Sequence, residues 1–308
     1  MGNPAIAILL AIICYTMLNI GFVLQKKGAS ALPRVENQGI MENVRNFLRN
    51  KTWMAGFILT AVQWYFYLFA LKEGSISLVT PFNGWGIVVL VLFSYFYLKE
   101  PISRQELTCI AITVAGVICL GITSPDAGVM LDPATISAKL STAVSIAFLL
   151  LLGIFTFLPV IFSWKRNFWH ADIILGACSG LAASVGAIFS NAMMAHISTE
   201  TLWTSLGTAL GTLVFWFYLI LVGAGNTISM IYQQIAYQKG KASLVAPLFT
   251  IVSLVFPVIA GIIIFGEWAL VRPELVGFRA ASIIIITLGA TTLSYFNSKT
   301  RDVSKTPQ

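Results

Sequence analysis

The sequence predicts an all-α polytopic membrane protein: nine transmembrane helices, arranged as two inverted four-helix repeats with one linking helix between them. Three observations predict it. Apolar residues make up 57% of the chain and charged residues 10%, against about 25% charged in soluble domains. Several apolar runs reach eighteen residues or more, long enough for a helix to cross a ~30 Å hydrocarbon core. And one stretch occurs twice. Ala70 to Leu107 begins ALKEGSISLVTP, and Ala236 to Leu275 begins AYQKGKASLVAP, with six of those twelve positions identical. Further on, Glu100 falls beside Glu267 after one inserted residue, and Arg104-Gln-Glu106-Leu107 falls on Arg272-Pro-Glu274-Leu275. Leu and Val matches come easily in an apolar chain, but Gly, Pro, Glu and Arg-x-Glu-Leu in one order do not.

The spans follow from the hydropathy in order: Ala5–Leu24, Trp53–Leu71, Ile76–Leu98, Leu107–Thr123, Ala143–Phe162, Ile173–Met194, Leu213–Ala236, Ala242–Phe265 and Leu275–Tyr295. The first has no basic region before it and reads as a helix, not a cleaved signal. Between the first and second, Ile40, Met41, Val44, Phe47 and Leu48 share one helical face with Arg45 and Arg49 opposite. This predicts an interfacial amphipathic helix over about 36–50, with a linker as the plainer reading. Trp164, Lys165, Arg166 and Trp169 make an interface anchor between spans five and six. The run from Leu202 to Ala236 is long enough to invite a split, and charge decides against it. With nine spans, fifteen of the nineteen Lys and Arg fall on one face, leaving Lys72, Lys139, Arg272 and Arg279 on the other. Splitting gives twelve against seven, a poorer fit to the positive-inside rule.

The N-terminus is then outside and the C-terminus cytoplasmic, in a cell or inner membrane. The chain divides into a first repeat (1–123), a linking loop and fifth helix (124–170), a second repeat (171–296) and a polar tail (297–308) expected to be disordered. The odd fifth helix inverts the second repeat, an architecture used for alternating access to a midplane site.

Composition also excludes. No polar stretch is long enough for a catalytic domain, and no Walker A loop, nucleophile elbow or zincin helix occurs. The chain is therefore read as no enzyme, with no cofactor. The net charge of +7 follows membrane topology, not nucleic acid. Cys14, Cys109, Cys119 and Cys178 lie inside spans without metal-ligand spacing, and His170 and His196 sit at helix ends. The expected partners are the bilayer and a cation or small solute, with a homo-oligomer left open.

No span carries Asp or Glu at its middle, where ion coupling usually places one. Gln63, Asn83, Trp85, Asn226 and Thr250 are the candidate pathway residues, amides and hydroxyls that also serve as interhelical hydrogen bonds. Pro81 to Gly86 and Gly223 to Thr227 are places where the backbone could unwind toward a cavity. Gly176-x-x-x-Gly180 reads as close packing. Glu100 and Arg104 at one face, and Glu267 and Arg272 at the other, are candidate salt-bridged gates, or else helix anchors. Arg279, one turn into the ninth span, is expected to snorkel outward, the alternative being a pair with Glu267 or Glu274.

The doubled A-L-K-x-G-x-x-x-L-V-x-P segment, each copy followed by an apolar helix and Glu100 or Glu267, resembles the drug/metabolite transporter superfamily and its EamA-type repeats. The basic turn Gln25-Lys26-Lys27-Gly28-Ala29, and Gln234 to Pro247 running on to Phe265-Gly-Glu267-Trp268, resemble the NIPA-like magnesium transporters. The resemblance covers nearly all of the chain. It implies a transporter, with Mg²⁺ or another divalent cation as substrate. A rival is a carrier of amino acids or similar polar metabolites, lined by Trp64, Tyr65, Trp85 and Trp216. A second rival is a non-transporting membrane scaffold.

Overall fold

A computed structural model of the chain describes residues 3–30, 32, 40–98, 102–123, 132–166, 170–198, 201–239 and 242–303. The helices are α1 (Pro4–Ser30), α2 (Ile40–Arg49), α3 (Lys51–Glu73), α4 (Ile76–Val79), α5 (Asn83–Phe93), α6 (Arg104–Ile122), α7 (Pro133–Leu140), α8 (Ala143–Lys165), α9 (Ala171–Met194), α10 (Leu202–Leu210), α11 (Leu213–Lys239), α12 (Ala242–Ala260) and α13 (Pro273–Val303). Among the described residues there is no strand, and nine helices are long and apolar enough to cross a membrane. The third span is composite: α4, a 3-10 turn at Thr80–Phe82 around Pro81, α5, then a π turn at Ser94–Leu98. The eighth is α12 closed by a π turn at Gly261–Phe265.

Local chemistry sets the ends. Asn50 caps α3 by accepting from Trp53 N–H, and its amide reaches back to the Gly28 carbonyl. Ser103 and Glu106 form a reciprocal capping box at the start of α6. Asp132 accepts from the N–H and hydroxyl of Thr135 to start α7, and these bonds hold its carboxyl below the usual range. Glycine 266, in the left-handed region at φ 65°, stops the eighth span.

In lipid, helices are held by close packing, with no hydrophobic force between them. The small residues do this here. α1 packs along α3, α9 along α11, α6 along α13, and α12 contacts both α9 and α13. A Cβ on Gly56 would lie 2.6 Å from the Gly21 carbonyl. One on Gly180 would lie 2.7 Å from Val252 Cβ, as the small-residue motif predicts. Spans three and six are two-thirds buried within the bundle, whereas α8 is 17% buried and lies at its margin.

The ends of spans two, four, six and eight share one face. Lys72 Nζ donates to the Met194 carbonyl, Lys139 Nζ to the Phe265 carbonyl and Arg279 Nη1 to the Thr123 carbonyl. Asn3 N–H donates to Glu73 there, so the N-terminal end of α1 lies on the same face. At the opposite face Lys27 sits over the Tyr97 ring at 3.8 Å.

Four expectations change. The helix of span one runs on to Ser30, so Gln25 to Ala29 is helical and not a turn. Span seven is unbroken from Leu213 to Lys239. Its Gly225 is used for close approach, a Cβ there meeting the Ala182 carbonyl and Gly186 N at 2.8 Å. The last helix continues through residue 303, into the segment expected to be disordered. And α7 and α10 are additional short helices, α10 filling the start of the long seventh apolar run and stopping at Gly211. Residues 36–39 of the expected amphipathic helix lie outside the described residues; Ile40–Arg49 is helical, with Met41 and Leu48 exposed.

Candidate functional site

Three places inside the bundle bear on the predicted site residues. The first surrounds α1. Cys14 Sγ donates to Gln63 Oε1 at 2.9 Å, Trp85 Nε1 donates to Thr16 Oγ1 at 3.1 Å, and Asn19 Nδ2 donates to the Tyr15 carbonyl while packing against Gly86. Tyr15 and Tyr67 meet edge to face beside them. Gln63 and Trp85, predicted from separate spans, are thus brought onto one helix within three residues of each other's partners. Asn83, one turn before the Gly86 contact, is half-buried, and no described group hydrogen-bonds its side-chain amide.

The second place lies between α9 and α11. Asn226 Nδ2 donates to the Val222 carbonyl at 2.8 Å and leans on Gly186. Thr250 is buried in α12, whose Val252 carbonyl lies 3.4 Å from Ser184 Oγ. These groups are distinct from the Gln63 set.

The third place was not assembled from the sequence. After the π turn, Gly266 reverses the chain and sends Glu267 back into the bundle. There Oε1 accepts from Ile76 N–H and Oε2 from Ser77 N–H, both at 2.9 Å, satisfying the open N-terminus of α4. Room for the carboxylate comes from Gly261, where a Cβ would lie 2.5 Å from Oε2. Glu267 is 4% exposed. Burial pushes its carboxyl above the usual range, while the Ser77 and Ile76 bonds and the Arg279 charge pull it back. Arg279 is 1% exposed and donates from Nη2 to Ser77 Oγ at 3.5 Å and from Nη1 to the Thr123 carbonyl at 3.3 Å.

This revises the expected gates. Arg279 does not snorkel: α6 and α4 enclose it, so it turns inward to polar partners. Glu267 and Arg272 do not meet, because the 3-10 turn between them leaves Arg272 exposed. Glu106 closes its own helix through Ser103. Arg104 is exposed, and Glu100 lies outside the described residues. The four-aromatic lining is also undone. Tyr65 is 56% exposed, and Trp216 is 45% exposed with its Nε1 on the Leu210 carbonyl, so both point out of the bundle. The signal that would have found the third place is Phe265-Gly266-Glu267: a glycine that permits a left-handed turn, just before a lone carboxylate.

Comparison with known proteins agrees in length and class. The sequence profile of the family described as "Magnesium transporter NIPA" matches residues 3–300. A protein named "Probable magnesium transporter NIPA9" from Arabidopsis thaliana is 29% identical over 271 residues, covering 83% of this chain and 73% of its own. "Probable magnesium transporter NIPA6" and "Probable magnesium transporter NIPA1" of the same plant are each 21% identical, covering 88% of this chain and 83% and 81% of theirs. No solved structure matches. A profile match across nearly the whole chain, on nine membrane-length helices, makes this protein a member of the NIPA magnesium transporter family: an integral membrane transporter, not an enzyme.

Proposed function

We propose that the protein carries Mg²⁺ across the bilayer by alternating access of two inverted repeats, with the N-terminal end of α1 outside. The observation that carries the substrate is the family match over residues 3–300, supported by relatives whose names are those of magnesium transporters. The mechanism is supported by the doubled architecture. The α1–α3 pair has its counterpart in α9–α11. Spans three and eight each end in a five-residue π turn, followed in sequence by Glu100 and Glu267. π turns are often found at functional sites.

Mg²⁺ dehydrates reluctantly and keeps several waters, using few protein carboxylates. Among the described residues no three His, Cys, Asp or Glu side chains gather into a metal cage, which favours passage as a hydrated ion. Waters of that ion would be held by amides, hydroxyls and carbonyls. Asn83 suits this role because no described group hydrogen-bonds its amide, in the span whose backbone is irregular at Pro81. Gln63, Trp85, Asn226 and Thr250 shape the walls. The gate roles of Arg104 and Arg272 are limited to the surface by their exposure.

The test is flux. The purified protein is placed in liposomes enclosing a magnesium-sensitive dye, and a Mg²⁺ gradient is imposed. Influx above empty liposomes, lowered by Asn83→Ala, is the expected result. No Mg²⁺ influx in vesicles that take up labelled amino acids would overturn the substrate and favour a metabolite carrier.

A further inference from the structure

The face where the even-numbered spans end holds three cations on helix C-terminal carbonyls: Lys72 on Met194, Lys139 on Phe265 and Arg279 on Thr123. The helix dipole favours a positive charge there, and this accounts for the two lysines. It does not account for Arg279. A guanidinium has five N–H donors in a fixed fork. Arg279 is 1% exposed, makes two long bonds at 3.3 and 3.5 Å, and its Nε has no partner among the described residues. An incompletely satisfied charge in a dry setting is costly.

Its natural counter-ion stands beside it. Glu267, equally buried, bonds to the backbone N–H groups of Ile76 and Ser77, not to Arg279. Ser77, fully buried, lies between the two: its N–H donates to Glu267, and its hydroxyl accepts from Arg279. Buried Arg–carboxylate pairs frequently close into a bidentate contact, and Glu267 and Arg279 do not. Here the two charges are held on either side of one serine, at the junction of spans three, four, eight and nine.

We propose that Glu267 is the carboxylate that receives Mg²⁺ from this face, and that Arg279 is a tethered cation competing with the ion for it. The proposal rests on the Mg²⁺ reading above. With the face closed, the positive charge beside Glu267 is Arg279, and the α4 N-terminus is capped by Glu267. An arriving hydrated Mg²⁺ supplies two charges against one and turns the carboxylate away from Ile76 and Ser77. The α4 cap is lost, Arg279 is repelled from Ser77 and held by the Thr123 carbonyl alone, and the junction of spans three and eight opens. Arg279 thus sets the Mg²⁺ concentration at which this face responds, and Glu267 is the group that senses it.

The experiment measures how Mg²⁺ flux in proteoliposomes depends on concentration on this face for wild type, Arg279→Gln, Arg279→Lys and Glu267→Gln. Removing the competing unit charge across Ser77 is expected to lower the half-saturating Mg²⁺ concentration by roughly tenfold in Arg279→Gln. Arg279→Lys keeps the charge and stays near wild type. Glu267→Gln moves half-saturation the other way, by roughly tenfold or more. A second readout needs no transport: Ser75→Cys, buried beside Ser77, made in a Cys119→Ser background because Cys119 is the exposed native thiol. Mg²⁺ is expected to raise its maleimide labelling severalfold. The proposal is overturned if Arg279→Gln and Glu267→Gln shift half-saturation in the same direction, or if both leave it unchanged while lowering thermal stability. It is also overturned if Mg²⁺ leaves Ser75→Cys labelling unchanged. Absence of Mg²⁺ flux in the wild type would instead sink the substrate reading on which it stands.

Discussion

Glycine 225 and Gly223 lie two residues apart in α11, and replacing each by alanine isolates what holds the second half together. A helix-interior Gly→Ala change carries a propensity gain of about 1 kcal/mol. At Gly223 nothing lies within 4 Å of the added Cβ, so this gain stands alone. At Gly225 the same Cβ meets the Ala182 carbonyl oxygen and Gly186 N at 2.8 Å and Gly186 Cα at 3.2 Å. All three are backbone atoms of α9, which can yield only by separating the helices. Overpacking of this kind costs typically about 1–3 kcal/mol. Since the propensity gain is common to both, the two variants should differ by about 1–3 kcal/mol, with Gly225→Ala the less stable. The assay is thermal unfolding in detergent with a thiol-reactive dye. Cys14, Cys109 and Cys178 are buried and report unfolding, while Cys119 is exposed and sets the baseline. Cys178 lies in α9 itself, so it reports on the helix forced aside. Equal midpoints for the two variants would refute the claim that close approach at Gly225, and not mere flexibility, explains that glycine.

Lys139→Met should lower the unfolding midpoint by the equivalent of about 1.5–3 kcal/mol, because it removes a charged donor from the Phe265 carbonyl, and the same dye assay reads it. Asn50→Ala should cost about 1 kcal/mol through loss of the α3 cap. Hydrogen exchange should then rise first at the start of α3. Asn83→Ala should leave the midpoint nearly unchanged, because the amide bonds to no described group, yet lower Mg²⁺ flux severalfold. Gln63→Leu should do the reverse in part, lowering the midpoint by about 1–3 kcal/mol by leaving the buried Cys14 thiol without its acceptor.

The spans were legible because a membrane helix leaves a strong one-dimensional trace: eighteen or more apolar residues, and charges where they stop. The helix ends carried signals that the apolar runs did not use: Ser103-x-x-Glu106 starts α6 three residues before Leu107, where the apolar run begins. What was not legible depends on the third dimension. Arg279 sits on a helix whose two sides look alike in sequence, and only the position of α6 and α4 decides that it points inward. Glu267 and Arg272 are five residues apart, and the turn at Gly266 sends one in and leaves the other out. Gly223 and Gly225 look equivalent on paper, yet one faces lipid and the other a neighbouring backbone. The polar segment 297–303 would not start a helix alone, but it can extend one already nucleated by the ninth span. The short α7 carried an Asp132-Pro133 start signal, too brief to outweigh its loop context.

The charge count can now be given a physical basis. Cations are scarce on the face where the even-numbered spans end, and the four assigned there looked like exceptions to the rule that orients the chain. Three of them are committed to the fold. Lys72, Lys139 and Arg279 each bond to a carbonyl at the C-terminal end of a different span. Topology rules count charges that remain near the bilayer surface and interact with its field. A cation fixed on a helix terminus is held by that terminus instead, whichever side it lies on. Of the four, Arg272 alone is exposed. This commitment explains why three cations lie on a face that the charge rule leaves poor in them. It also separates Arg279 from the lysines: all three meet a helix end, but Arg279 is 1% exposed, with Glu267 beside it and an Nε that no described group accepts. That difference is what suits it to a moving part, where Lys72 and Lys139 serve as fixed ones.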